Sequence, residues 1–238
     1  MVNDELRDSW IDSLIVGKNI KFRGITLYPT RVGDVIDMGV LEFDKVFLPF
    51  TLTPSVFKGA DNMSVFDCIL RNRDLCESMN TGLKLVTKCD TVKWFTNRVE
   101  LPIGESKRFV IDGAVFDDIS EAIVLMQGTH KIHEAKRLKC ASQTMNDAME
   151  RLYEGRRRAA ERNAVKFHDI INICMWGCGY MIPQSTILDM SMWQLINCYK
   201  AKVGAKSYDD DLVVAVASGD GKAVSGQGYW MNRLKIGE

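Results

Sequence analysis

The stretch RVELPIGESKRFVIDGAVFDDISEAIVLMQG, residues 98–128, decides the fold class of this protein. Its first half contains two short runs rich in β-branched and aromatic residues, Arg98–Leu101 and Arg108–Ile111, separated by turn residues at Pro102-Ile103-Gly104. This pattern predicts paired antiparallel strands. The second half carries apolar residues at helical spacing and ends at Gly128, which predicts a helix that packs beside the strands. These helical positions are Phe116, Ile119, Ile123 and Met126.

The residues before this stretch predict two further strands of a small antiparallel meander, at Leu83–Val86 and Val92–Phe95. Towards the N-terminus, helical periodicity dominates. A strand over Lys18–Tyr28, with Gly24 at a turn or bulge, interrupts it. The sequence predicts helices over residues 1–18, 31–48 and 65–80. The helix over 65–80 begins at a capping-box pattern, Ser64-Val65-Phe66-Asp67. Before it, Thr53-Pro54-Ser55 predicts a helix cap followed by a first-turn proline.

Residues 131–166 have a different character. They contain no proline and only Gly155 as a glycine, and ten Lys and Arg against five Asp and Glu give a net charge of +5. Leu138, Met145 and Leu152 lie on a narrow apolar seam that also includes Ala141 and Ala148, as in a two-helix contact. We expect a long exposed connecting helix.

The C-terminal region is predicted to be helical. A wide apolar face from Val165 to Cys178 indicates a buried helix. A second capping box at Ser191-Met192-Trp193-Gln194 opens a helix that we expect to end at Gly204, and Asp209-Asp210-Asp211 is typical of the first turn of another.

The sequence thus predicts a mainly helical α+β protein with a small antiparallel sheet in its N-terminal half. We divide it into an α+β lobe (1–130), a basic connecting helix (131–166) and a helical lobe (167–238).

Composition excludes several classes of protein. With 238 residues, 46% hydrophobic residues and zero net charge, the chain is neither disordered nor fibrous. Seven scattered cysteines without a CxxC pair favour a reducing cytoplasm over a disulfide framework. The polar, acidic N-terminus is unlike a signal peptide, and no run of about 20 apolar residues indicates a membrane span.

No motif for chemistry is present. The sequence lacks a GxSxG elbow and a GxxxxGK[ST] phosphate loop. His130 and His133 are spaced as a metal pair, and Cys174 and Cys178 as a pair of soft ligands, but solvated histidines and small buried thiols explain them better. We therefore predict a protein without catalytic residues, bound metal or cofactor.

The best candidate site is a surface for a partner. The seam residues Leu138, Met145 and Leu152 would contact another protein, and the arginines after them would bind its acidic surface. Nucleic-acid binding by the same arginines is less favoured, because no aromatic residues are interleaved for base stacking. The arginines are Arg156, Arg157, Arg158 and Arg162.

Four stretches resemble a group of tail-morphogenesis proteins from phages of Gram-positive hosts, described as tail assembly chaperone-like. They are Ile25–Pro29 with the helix that follows, Phe109–Asp112 with the helix to Ile123, Met190–Leu195, and Ala217–Asp220 followed by Tyr229-Trp230. The resemblance implies no catalytic residues. It implies protein–protein binding to phage tail or other virion proteins in the host cytoplasm, and leaves a homo-oligomer open.

Alternative functions remain open at this point. The first alternative is a structural subunit of the tail or baseplate, which would stay in the virion. The second is a nucleic-acid-binding protein that uses the basic helix, with affinity that falls steeply with salt. An enzyme of unrecognised type would need titratable side chains that converge in a cleft.

Overall fold

A computed structural model describes residues 2–57, 63–103, 107–132, 151, 154–155, 158, 164–177 and 179–218. The predicted class is confirmed: the chain is a mainly helical α+β protein with two small antiparallel sheets. The α-helices in these ranges are α1 (Asp4–Ile15), α2 (Val32–Met38), α3 (Val40–Thr51), α4 (Val65–Leu70), α5 (Arg73–Thr87), α6 (Gly113–Met126), α7 (Phe167–Trp176), α8 (Gln184–Asp189) and α9 (Met192–Ser218), and a 3₁₀ turn covers Pro54–Val56. The strands are β1 (Ile20–Phe22), β2 (Ile25–Leu27), β3 (Lys93–Trp94), β4 (Val99–Ile103) and β5 (Lys107–Ile111).

The stretch that decides the fold class forms the expected unit of two strands and a helix. β4 pairs antiparallel with β5, so that Val99 faces Ile111 and Leu101 faces Phe109. All four side chains are buried. The Asp112 carboxylate then accepts a hydrogen bond from the backbone N–H of Val115 at 2.9 Å and caps α6. Paired strands with apolar side chains on a buried face and a local helix cap therefore build this unit.

A cluster of phenylalanines joins α6 to the helices before it. The Phe116 ring of α6 lies 5.2 Å from the ring of Phe66 in α4 and 6.0 Å from that of Phe50 in α3, measured between centroids. Phe47 extends the cluster along α3. These rings are almost completely buried and form the centre of the N-terminal core.

The segment Lys18–Tyr28 forms two strands instead of the single strand predicted, and the turn considered at Gly24 is where the chain reverses. Arg23 and Gly24 have φ angles of 44° and 90°, and this left-handed pair closes a tight hairpin in which Phe22 faces Ile25. Arg23 and Gly24 therefore form the two-residue turn between β1 and β2. The near-alternation of apolar residues came from two strands that face each other.

Two predicted helices are each divided, and one predicted strand is helical. Gly39, with a φ of 89°, separates α2 from α3. The helix expected over 65–80 consists of α4 and α5, and α5 continues to Thr87. Leu83–Val86 is thus the last turn of α5, with Leu83 and Val86 on its buried face. A short apolar run does not distinguish a strand from a buried helix.

The Ser191 capping box is confirmed, but the expected end of its helix is wrong. The backbone N–H of Gln194 donates to Ser191 Oγ at 3.2 Å, and the Gln194 side chain accepts from the Ser191 N–H at 3.0 Å. The helix then continues as α9 through Gly204 and Asp209–Asp211 to Ser218. Glycine within a helix lowers helix stability by about 1 kcal/mol relative to alanine. This loss is small compared with the stabilisation from the backbone hydrogen bonds of a long helix, so the helix continues through Gly204.

The C-terminal helices pack on the N-terminal lobe. The backbone N–H of Met192 donates to Thr30 O at 3.0 Å, and that of Val32 donates to Met190 O at 2.9 Å. Trp193 and Leu195 belong to the same buried core as the residues of α1 and the first sheet. The division into two lobes stays a prediction, since most of the connecting segment 131–166 lies outside the described residues.

Glu100 on β4 predicts a specific sensitivity to acid. Its buried carboxylate accepts hydrogen bonds from Arg98 at 3.0 Å and Arg108 at 3.1 Å. Burial raises the pKa of Glu100, but the hydrogen bonds and charges of the two arginines outweigh burial and lower it. The carboxylate therefore stabilises the fold above its unfolded pKa of about 4.3, and this stabilisation is lost as the pH falls through the lower folded pKa.

We expect Glu100→Gln to lower the free energy of unfolding at pH 7 and to have a smaller effect at pH 3, because below the unfolded pKa of about 4.3 the unfolded chain gains stability by binding a proton at Glu100. Urea denaturation at the two pH values measures this difference. Glu42→Gln is the control, because the exposed Glu42 carboxylate makes only a surface ion pair. An effect of Glu100→Gln that is equal at both pH values would contradict the prediction.

Candidate protein-binding surface

The last residue of α7 and the segment after it present three large apolar side chains to solvent. Trp176 is 65% exposed, Tyr180 80% and Met181 67%. We call these three residues the aromatic corner. Tryptophan and tyrosine dominate the binding energy of protein interfaces, and methionine adapts its shape to a partner. A surface of this composition is suited to contact with another polypeptide.

Two glycines shape the corner. A β-carbon on Gly177 would lie 2.5 Å from the carbonyl oxygen of Ile173, so the backbone passes too close to α7 for any side chain. Gly179 has a φ of 76°, in the left-handed region that favours glycine. The chain therefore turns sharply at the end of α7, and the backbone N–H of Ile182 donates back to Met175 O at 3.1 Å.

Lys202 of α9 holds this turn in place. Its ammonium donates to three backbone carbonyls: those of Cys174 at 2.7 Å, Gly177 at 2.9 Å and Tyr180 at 2.6 Å. The carbonyls at a helix C-terminus lack intrahelical donors and carry partial negative charge. The ammonium of Lys202 supplies hydrogen-bond donors to these carbonyls, and its positive charge interacts favourably with the helix end. The corner is thus a structured surface supported from beneath.

Two thiols pack under the corner, between α7 and α9. The buried Cys174 thiol lies 3.6 Å from the carbonyl oxygen of Leu195 and is hydrogen-bonded to the sulfur of Cys198. This hydrogen bond lowers the pKa of Cys198 to about 7 against the effect of burial, and the charge of Lys202 lowers it further. The same contact raises the pKa of Cys174, as burial also does.

Cys198 should therefore react with iodoacetamide with a pH midpoint near 7, below the ordinary thiol value of about 8.5. At pH 7 we expect it to react about threefold faster than an ordinary thiol, since the larger thiolate fraction is partly offset by weaker nucleophilicity. Peptide mapping by mass spectrometry follows each cysteine separately. Cys174→Ser keeps a donor and should keep the low midpoint, whereas Cys174→Ala should raise it. Equal midpoints in both variants would refute the proposed role of the Cys174 hydrogen bond.

Of the site residues predicted from sequence, the structure describes Arg158. Its side chain is exposed and pairs with Glu154 at 3.2 Å, one helical turn away. This ion pair offsets part of its positive charge. The others lie outside the described residues, and their role stays a prediction: Leu138, Met145, Leu152, Arg156, Arg157 and Arg162.

The described ranges contain no group of three or more His, Cys, Asp and Glu side chains that could hold a metal ion. His130 is exposed, and Asp209–Asp211 lie within α9 instead of at a helix start, so their carboxylates do not complement a helix N-terminus. His133 and Cys178, the second members of the two candidate ligand pairs, lie outside these ranges. Nor does any helix in the described ranges combine the length and apolar character that a membrane span requires.

Sequence reasoning missed the aromatic corner. The signal was Trp176-Gly177-Cys178-Gly179-Tyr180-Met181, in which large apolar residues are interleaved with glycines just where a helix ends. Large apolar residues at or beyond the end of a helix no longer lie on its buried face, so their side chains can be exposed to solvent. Comparisons of the chain with protein-family models, with curated proteins and with solved structures found no match.

Proposed function

We propose that this protein is a non-enzymatic phage tail-morphogenesis factor that works by binding other tail proteins through the aromatic corner. The observation that carries the binding role is the exposure of Trp176, Tyr180 and Met181 on a backbone fixed by Lys202. Because Lys202 holds the backbone of this turn in place, binding has less conformational entropy to remove from it, and a preorganised surface binds more tightly for that reason. The assignment to tail assembly rests on the resemblance of the four stretches described above.

The composition of the corner defines the partner. It carries no charge of its own, so we propose that it receives an apolar or aromatic segment of a tail protein. Hot-spot residues of this kind each contribute about 2 kcal/mol or more, which is roughly 30-fold in affinity.

Binding of the full chain to each purified tail protein of the same phage, measured by calorimetry, tests the proposal. The double variant Trp176→Ala/Met181→Ala should lose at least about 100-fold in affinity. Lys202→Met, which removes support from the corner, should weaken binding less. Leu41→Ala is the matched control, since Leu41 is 87% exposed on α3. If the double variant binds every tail partner as the wild type does, the corner is not the binding surface.

Mass spectrometry of purified virions separates an assembly factor from a structural subunit. We propose an assembly factor, which should be absent from mature particles. A stoichiometric amount of the chain in virions would instead support the tail or baseplate alternative. If no tail protein binds, and a nucleic acid binds with an affinity that falls steeply with salt, the nucleic-acid alternative is favoured.

A further inference from the structure

A cavity of about 400 Å³ lies between α1, the end of α6 and α9. Part of its lining is apolar, from Val124 and Leu125 of α6 and Trp193 and Ile196 of α9. Its volume falls within the range of small-molecule sites, about 300–1,000 Å³. Sites of that kind combine an apolar lining with a few polar groups, and this cavity does so as well.

The polar groups of the cavity are mainly cationic. Arg7 of α1, Lys131 after α6 and Lys200 of α9 contribute to its lining, and Glu121 is the acidic residue beside them. Three permanent positive charges and one negative charge leave a net charge of +2. Within the part of the chain that the structure describes, the side chains of Arg7, Lys131 and Lys200 make no hydrogen bond or ion pair. Their charges are therefore not neutralised by this part of the protein.

The end of α6 does not account for these cations. A helix C-terminus attracts positive charge through its free carbonyls. Here the backbone N–H of Thr129 donates to Val124 O at 3.1 Å, and that of Gly128 donates to Leu125 O at 3.0 Å. These carbonyls already have donors from the backbone of the turn.

Gly128 brings the cationic segment over the cavity. Its φ is 64°, and a β-carbon there would lie 3.1 Å from Cβ of Ile196. Only glycine allows the chain to pass so close to α9 in this conformation. The turn therefore places His130 and Lys131 in the lining of the same cavity as Lys200.

We propose that this cavity binds a small organic anion, a carboxylate or phosphate joined to an apolar group. The cations from α1, α9 and the turn after α6 would bind the anionic group, and the side chains of Trp193 and Ile196 would contact the apolar part. This site is separate from the aromatic corner, and the proposal does not depend on the proposed tail function.

Four probes test the chemistry of the site on the full chain: phenyl phosphate, phenylacetate, the neutral phenylacetamide and inorganic phosphate. We expect millimolar or tighter binding of the two aromatic anions by calorimetry. Phenylacetamide and inorganic phosphate should each bind at least about tenfold more weakly, since each lacks one of the two contacts. The preference between phenyl phosphate and phenylacetate distinguishes a phosphate site from a carboxylate site. In NMR spectra, binding should shift the indole N–H of Trp193 and leave that of the exposed Trp176 unchanged.

Lys200→Gln and Arg7→Gln should each weaken binding of the aromatic anion at least about tenfold, because each removes a charge-assisted contact. Lys84→Gln removes one positive charge from an exposed position on α5 and is the matched control. The proposal is overturned if phenylacetamide binds as tightly as phenylacetate, if Lys200→Gln has no more effect than Lys84→Gln, or if neither anion binds at millimolar concentration.

Discussion

Replacing Phe116 by alanine should lower the free energy of unfolding by about 3–5 kcal/mol. The ring of Phe116 is 2% exposed and packs against Phe50 and Phe66, so its removal leaves a cavity that three helices enclose. The total stability of a domain is about 5–15 kcal/mol, so this single change removes a large part of it. Urea denaturation should show a lower midpoint with an unchanged slope.

Two variants provide the controls for Phe116. Phe95→Ala removes the same atoms from a ring that is 41% exposed, and should cost no more than about 1 kcal/mol, including the contact with the Arg98 guanidinium at 4.8 Å. Phe116→Leu keeps most of the volume and should cost less than the alanine variant. If Phe116→Ala and Phe95→Ala are equally stable, Phe116 is not at the centre of the core.

Replacing Trp193 by alanine should also cost about 3–5 kcal/mol, and it should destabilise the whole described fold. Trp193 is 4% exposed and shares one continuous core with Trp10 and Leu14 of α1. If that core holds both ends of the chain together, far-UV circular dichroism and tryptophan fluorescence should report a single unfolding transition in the variant, shifted to lower urea.

Trp176→Ala is the control for Trp193. It removes the same side chain from the same region of the chain, but from a position that is 65% exposed, so we expect a change within about 0.5 kcal/mol. Two separate transitions, of which Trp193→Ala shifts only one, would show that residues 1–130 and 167–238 unfold independently. That result would favour the division into two lobes predicted from sequence.

The candidate binding surfaces were less predictable than the fold class. The sequence directed attention to the seam and to the arginines from Arg156 to Arg162. The corner around Trp176 and the cation-lined cavity beside Lys200 were not predicted. Each depends on residues from separate segments: Lys202 donates to the carbonyls at the end of α7, and Lys200 lines the same cavity as Arg7 and Lys131. A pattern of residues along one segment cannot show which residues of distant segments come close together in space.

Features that depend on neighbouring residues were predictable before the structure was known. The caps at Ser64 and Ser191 are hydrogen bonds between residues three positions apart, and β4 and β5 are short runs rich in β-branched and aromatic residues on either side of a turn. Two other features depend on long-range packing: Leu83–Val86 is helical, and Trp193 is buried while Trp176 is exposed. Burial depends on which distant elements pack together, and residues far apart in sequence supply those contacts.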